Sequence, residues 1–176
     1  KIEDLVQQAE TAQVPISEIV LRSEIEQNAS ARAEVLAQMH QRLEVMRTSA
    51  QAGLETPVYS RSGLTRGSAH RFWNWLASGA RPVTGELLSR AVARALSTAE
   101  VNAGMGCIVA TPTAGSAGIL PAVLVTLQEG YALSDDALVA ALFTAAGIGM
   151  VIATRAQIAG AAGGCQAETG SAAAMA

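Results

Sequence analysis

Residues 101–176 carry only five charged side chains, Glu129, Asp135, Asp136, Arg155 and Glu168, while residues 1–100 carry the other 22. A stretch so poor in charge looks like an interior, because large contiguous apolar surfaces are rare on soluble domains. Within it, Ala137 to Thr154 is a run of 18 residues without a charge, the length of a membrane span. Gly147 and Gly149 interrupt that run, most of its side chains are small, and no aromatic belt or Lys/Arg cluster flanks it. The expectation is therefore a helix buried in protein, with no membrane partner.

Half of the residues are hydrophobic but only 3% are aromatic, so the interior must be built from Ala, Leu, Val and Ile, which suits closely spaced helices. A chain of 176 residues is sized for one domain that buries roughly 70% of its unfolded surface. The expected fold is all-α: a single compact helical domain over residues 1–176, with buried Ala/Gly-rich helices and two glycine-rich loops. The net charge of −3 offers no broad attraction to phosphate backbones, so nucleic acid is not an expected partner. Residues 1–20 are acidic and amphipathic, unlike a secretory signal. Two cysteines, Cys107 and Cys165, make no disulfide framework, and a cytoplasmic setting follows. The chain opens on Lys1 and closes on the helix-forming SAAAMA, so it is expected to be a piece of a longer protein, cut short at its C-terminus.

The periodicity predicts a short amphipathic helix from Ile2, then a second capped by Ser17 with Ile16, Ile19, Val20 and Ile25 on its apolar face. Ser30 opens a longer helix in which Val35, Leu36, Met39, Leu43, Met46 and Ala50 recur, with Gly53 as its stop. Ser68 to Ala77 follows, with Phe72, Trp73 and Leu76 on one side. Thr84 is positioned to cap the next helix, which carries the apolar stripe Leu87, Leu88, Val92 and Leu96 and runs to about Asn102. Pro121 falls in the first turn of another helix, and Ser134 with Asp135 and Asp136 supplies the start of the uncharged one.

The inventory limits the chemistry. Lys1 is the only lysine against eleven arginines, and a chain-terminal residue is poorly placed for a Schiff base, so no pyridoxal phosphate is expected. His40 and His70 lie on charged helices and read as solvent-facing. Cys107, in GMGCIVA, reads as a small buried hydrophobe. Cys165 follows Gly163-Gly164 at the start of a helical segment, where N–H groups and the helix dipole favour a thiolate; it is either a metal ligand or a free thiol. The loop Thr111 to Gly118, TPTAGSAG, is either an anion cradle or a plain turn between buried helices. As a cradle, its glycines would admit a carboxylate to backbone donors and to the hydroxyls of Thr113 and Ser116. Arg61, Ser62 and Thr65 in RSGLTRG are candidates for a second clamp, or a solvated connection.

Taken in order, the PISEIV opening, RSGLT, MGCIVATPTAGSAGILPAVL and GGCQAETGSAAAMA resemble the alpha chain of bacterial iron-sulfur-dependent L-serine dehydratases. The resemblance spans essentially the whole chain. It implies conversion of L-serine to pyruvate and ammonia with a [4Fe-4S] cluster in place of pyridoxal phosphate, three cysteines holding the cluster and one iron left for substrate. It further implies Lewis-acid elimination: the free iron polarises the serine hydroxyl, an unidentified base takes the Cα proton, and the hydroxyl leaves as water. By resemblance Cys165 is the first cluster ligand, and Thr113, Gly115 and Ser116 grip the substrate carboxylate. The other two cysteines belong to a downstream CDPV-x-G-L-V-x-x-P-C motif that these 176 residues lack, which implies a cluster-free, inactive piece. Cys107 matches no family ligand. Where the family carries N-A-S-I-S-G-A-E, residues 155–162 read RAQIAGAA. A beta chain or domain and an oligomeric enzyme are the implied partners. The alternatives are a non-catalytic helical subunit of the same fold and a related cysteine-desulfurising lyase.

Overall fold

The computed structural model describes residues 1–176 and contains eight helices and no strand. These are α1 (Ile2–Ala12), α2 (Ile16–Asn28), α3 (Arg32–Glu55), α4 (Ser68–Ala77), α5 (Glu86–Ala103), α6 (Ile119–Tyr131), α7 (Asp135–Arg155) and α8 (Gly160–Met175). The all-helical expectation holds. The centre of the molecule is a cluster drawn from α2, α3, α6 and α7, including Val20, Leu43, Met46, Leu120, Leu138, Leu142 and Phe143. Each such side chain contributes roughly 1.5–3 kcal/mol when fully buried. A second cluster joins Leu54, Ala69 and Ala93 to Phe72, Trp73 and Leu76, seating α4 on α3 and α5.

Helix α7 is long and apolar enough to cross a membrane, yet one face of it packs against the protein, with 39% of its apolar stretch buried. Leu138, Val139, Leu142, Phe143, Ala145, Gly147 and Gly149 are buried, and its main neighbours are α2, α8 and α3. Ser134 caps it as expected, accepting from the Ala137 N–H at 3.2 Å.

Two expected boundaries fall differently. Ser17 does not cap α2; it is buried inside the first turn, and the Pro15 carbonyl receives the first N–H groups instead. Gly53 does not stop α3, which continues to Glu55. A side chain there would meet the Ser97 Oγ at 2.8 Å and its Cα at 3.0 Å, so this glycine serves the α3–α5 approach. The Gly53 N–H donates to Ser97 Oγ at 2.8 Å, and Ser97 Oγ donates to the Ser49 carbonyl at 2.7 Å.

Helix α5 reverses the expected polarity. Its apolar stripe faces outward, with Leu87, Leu88, Val92 and Leu96 all exposed, while Ser89, Arg94, Ser97, Thr98 and Glu100 are buried. Most of the buried polar groups reach a neighbouring element, which is what makes their burial tolerable. Arg94 donates to Thr126 Oγ1 at 2.8 Å and Glu129 Oε2 at 2.5 Å on α6, and its guanidinium lies 5.4 Å from the Trp73 ring centre. Glu100 accepts from the backbone N–H groups of Ser68 and Ala69 at 2.6 and 3.3 Å, so its carboxylate caps α4 from outside. Thr84, the expected cap of α5, shares a 2.7 Å bond with the Ser89 hydroxyl, and Gly85 holds the cap position.

Candidate functional site

The loop between α5 and α6 is built from residues too small to cover their own backbone. It is pinned at both ends: Asn102 Nδ2, on the last turn of α5, donates to the Ala114 carbonyl at 3.1 Å, and Ile119 N–H donates to the Ser116 carbonyl at 3.1 Å as α6 begins. Between these points the Thr111–Pro112 peptide is cis, Ser116 is buried, and Ala114 and Gly115 are exposed. Ser116 Oγ donates to the Thr111 carbonyl at 3.0 Å.

Across this loop lies α8. Gly164 sits at φ 73° and ψ 174°, interrupting the helix; a left-handed φ of this kind favours glycine. The continuous helical part therefore starts at Cys165, whose thiol is exposed and whose carbonyl accepts from Thr169 Oγ1 at 2.7 Å. One turn later, Glu168 brings its carboxylate onto the loop. Thr113 Oγ1 donates to Glu168 Oε1 at 2.6 Å. The fit is tight on the glycine side: a Cβ on Gly115 would stand 2.9 Å from Glu168 Oε2, and one on Gly160 would stand 2.5 Å from it.

Proton accounting refines the expected clamp. Thr113 spends its hydroxyl proton on Glu168 and Ser116 directs its own to the Thr111 carbonyl, so the 3.2 Å contact between the two oxygens has no proton left to share. The N–H groups of Ala114, Gly115 and Ser116 take no backbone acceptor. Unpaired N–H groups beside a helix N-terminus are a setting that favours an anion.

The structure thus brings Thr113, Gly115 and Ser116 to one end of α8, with Cys165 on the same helix as their partner Glu168. It does not tie the RSGLTRG segment to them by a hydrogen bond. Ser60 and Thr65 close that turn on themselves through bonds of 3.1–3.3 Å, Arg66 Nε donates to the Gly63 carbonyl, and Arg61 and Ser62 are exposed. Two further expectations are corrected. Cys107 is exposed rather than buried: α5 ends at Ala103, and residues 106–110 form no regular structure. His70 is partly buried: Nδ1 pairs with the Leu54 carbonyl at 2.7 Å and Nε2 with Asn74 Nδ2 at 2.9 Å. Donation to the carbonyl requires the proton on Nδ1, leaving Nε2 to accept. His40 stays near the surface, 3.6 Å from Asp136. Glu168 was missed in the sequence, although it is the only charged side chain after Arg155; a lone carboxylate in so apolar a segment was the available signal.

Residues 11–176 match the family described as Serine dehydratase alpha chain. The chain belongs to that family. Among relatives of the serine dehydratase alpha chain family, it is 41% identical over 175 residues to a probable L-serine dehydratase, alpha chain, of Bacillus subtilis (strain 168), covering 99% of this chain and 58% of the relative. It is likewise 41% identical over 163 residues to the L-serine dehydratase, alpha chain, of Peptoniphilus asaccharolyticus, covering 93% and 56%. A probable L-serine dehydratase, alpha chain, of Latilactobacillus sakei is 54% identical over 90 residues, 51% of this chain and 43% of the relative. The chain therefore spans little more than half the length of the first two of these alpha chains.

A thiolate-held cluster needs several ligands, and no group of three His, Cys, Asp or Glu side chains gathers here for a metal. Cys165 alone offers the features of a ligand, an exposed thiol at a helix start. The donor set within these residues is incomplete.

Proposed function

We propose that this chain is the alpha chain of an iron-sulfur L-serine ammonia-lyase, which eliminates water from L-serine and releases pyruvate and ammonia in the cytoplasm. The observation that carries the reading is the Thr113–Glu168 bond, which docks the Cys165 helix onto the glycine-rich loop. Family membership and the naming of the alpha-chain relatives support L-serine as substrate and a beta chain as partner.

In this reading Cys165 supplies one of three thiolates to a [4Fe-4S] cluster, and the other two come from protein outside these 176 residues. Alone, these residues are expected to hold no cluster and form no pyruvate. Bound to the complete ligand set, the cluster would supply Lewis acidity toward the leaving hydroxyl. This chain's own residues bind and orient. The free N–H groups of Ala114, Gly115 and Ser116 receive the substrate carboxylate at the start of α6, while Glu168 fixes the Thr113 hydroxyl and holds the loop against α8. Orientation is the larger part of that task, since well-placed reactants can gain roughly 7–11 kcal/mol of the barrier from lost freedom already accounted for in binding.

The test is pyruvate formation from L-serine by the intact alpha chain, reconstituted anaerobically with iron and sulfide and assembled with its beta partner. Turnover of L-cysteine in place of L-serine would favour the desulfurising relative, and turnover of neither would favour a non-catalytic subunit.

A further inference from the structure

We infer that the half-open cavity between α2, α3, α7 and the start of the α5–α6 loop is a binding site for a free α-amino acid with an apolar side chain, next to the Thr113–Glu168 contact but not part of it. The proposal does not rest on the lyase chemistry.

The cavity has a volume of about 280 Å³, just below the range for ligand pockets of roughly 300–1,000 Å³. Its walls are Val35, Met46, Leu120, Leu142, Phe143 and Ala146. The apolar side chains of the core cluster that face this half-open cavity forfeit contacts that close packing would supply. An apolar group is the occupant the lining suits.

Three polar features then narrow the choice. Glu24 of α2 and Arg42 of α3 also line the cavity, and both are exposed, so opposite charges stand at its mouth. Asn28 holds Glu24 Oε1 at 2.9 Å, leaving Oε2 for a ligand. A zwitterion matches this pair: its carboxylate suits the guanidinium, which can donate two parallel bonds, and its ammonium suits the glutamate. A simple fatty acid would meet the glutamate as a like charge, and a simple amine would meet the arginine likewise. The third feature is Thr111, which lines the cavity, is 5% exposed, and has a hydroxyl with no partner. Leaving such a group unpaired is costly. A thioether sulfur is a weak acceptor that an aliphatic side chain lacks, so methionine should be preferred over leucine.

Thr111 belongs to the same turn as the candidate site. Its carbonyl accepts from Ser116 and its N–H donates to the Thr113 carbonyl at 3.3 Å, so a ligand bonded to its hydroxyl sits two residues from Thr113.

The experiment is isothermal titration of the intact, partner-assembled protein with L-methionine, L-leucine, L-serine, 3-methylbutylamine and 4-methylpentanoate. The expected result is saturable binding of the two apolar amino acids at one site per chain, methionine tighter, with the amine, the acid and serine much weaker. Arg42→Ala and Glu24→Gln should each weaken binding about tenfold, the loss of one good charged contact. Thr111→Val should erase the preference for methionine, and Ala146→Phe should fill the cavity and abolish binding. Because the two rim substitutions lie on the exposed surface, they remain informative if Ala146→Phe does not fold. Absence of saturable binding by the apolar amino acids would overturn the proposal. So would equal binding of the amine or acid analogues, or unchanged affinity in both rim variants.

Discussion

Thr113 and Glu168 lie 55 residues apart in sequence, and a 2.6 Å bond from the threonine hydroxyl to the carboxylate joins them. This contact decides how the loop between α5 and α6 meets α8. It also means that the hydroxyl is committed to the protein's own carboxylate. Thr113→Ser should preserve turnover of L-serine by the assembled enzyme, whereas Thr113→Val should lower kcat/KM by roughly 10²-fold, the scale expected when a lost positioning contact displaces the groups that hold substrate. Steady-state kinetics on the two variants checks this.

The glycines facing Glu168 make a second, steric prediction. Gly160→Ala places a methyl 2.5 Å from Glu168 Oε2, and the flexible carboxylate must swing away from Thr113. Turnover should fall while thermal stability changes little. Glu168→Ala removes the obstacle, so adding Gly160→Ala to it should cost far less than in the wild type; a double-mutant cycle on kcat/KM measures the coupling.

Gly53 tests the packing that positions the loop. An alanine there cannot be absorbed by a side-chain movement alone, because the Ser97 backbone stands 3.0 Å away. Gly53→Ala should destabilise the fold by about 1–3 kcal/mol, the usual range for overpacking. Chemical denaturation monitored by helical circular dichroism gives the value.

Acid sensitivity has an identifiable source at the α2–α3 junction. Arg32 donates to both oxygens of Glu18 at 2.8 and 2.7 Å, and Arg22 adds a third bond, holding the Glu18 carboxyl at about 2 against an ordinary 4.5. A depressed carboxyl stabilises the fold fully above its unfolded value, and loses that contribution as pH falls toward the folded one. The melting temperature of the wild type should therefore exceed that of Glu18→Gln above pH 4.5, and the gap should close between pH 4.5 and 2.

The helices were legible where periodicity and caps agreed, as at Ser134 and in Phe72, Trp73 and Leu76 of α4. Helix α5 was not, because its stripe of Leu87, Leu88, Val92 and Leu96 reads as a core face, while the buried Ser97, Arg94 and Glu100 are explained only by partners on α3, α6 and α4. Gly53 misled for a related reason: a glycine that ends a helix and one that admits a neighbouring serine look alike in one dimension. At the site, the small residues of the loop and the glycines before Cys165 were visible in the sequence. Their meeting through Glu168 depends on a contact between distant segments, which local pattern does not encode.

Cys165, and not Cys107, which is also exposed, is the proposed cluster ligand. The most direct measurement is the visible charge-transfer absorbance of the intact, partner-assembled enzyme, reconstituted without oxygen, in the wild type and in Cys107→Ser and Cys165→Ser variants, with pyruvate formation followed alongside. The expected result is full absorbance and activity in the wild type and Cys107→Ser, and loss of both in Cys165→Ser. Retention of both in Cys165→Ser, or no absorbance in the wild type, would contradict the claim.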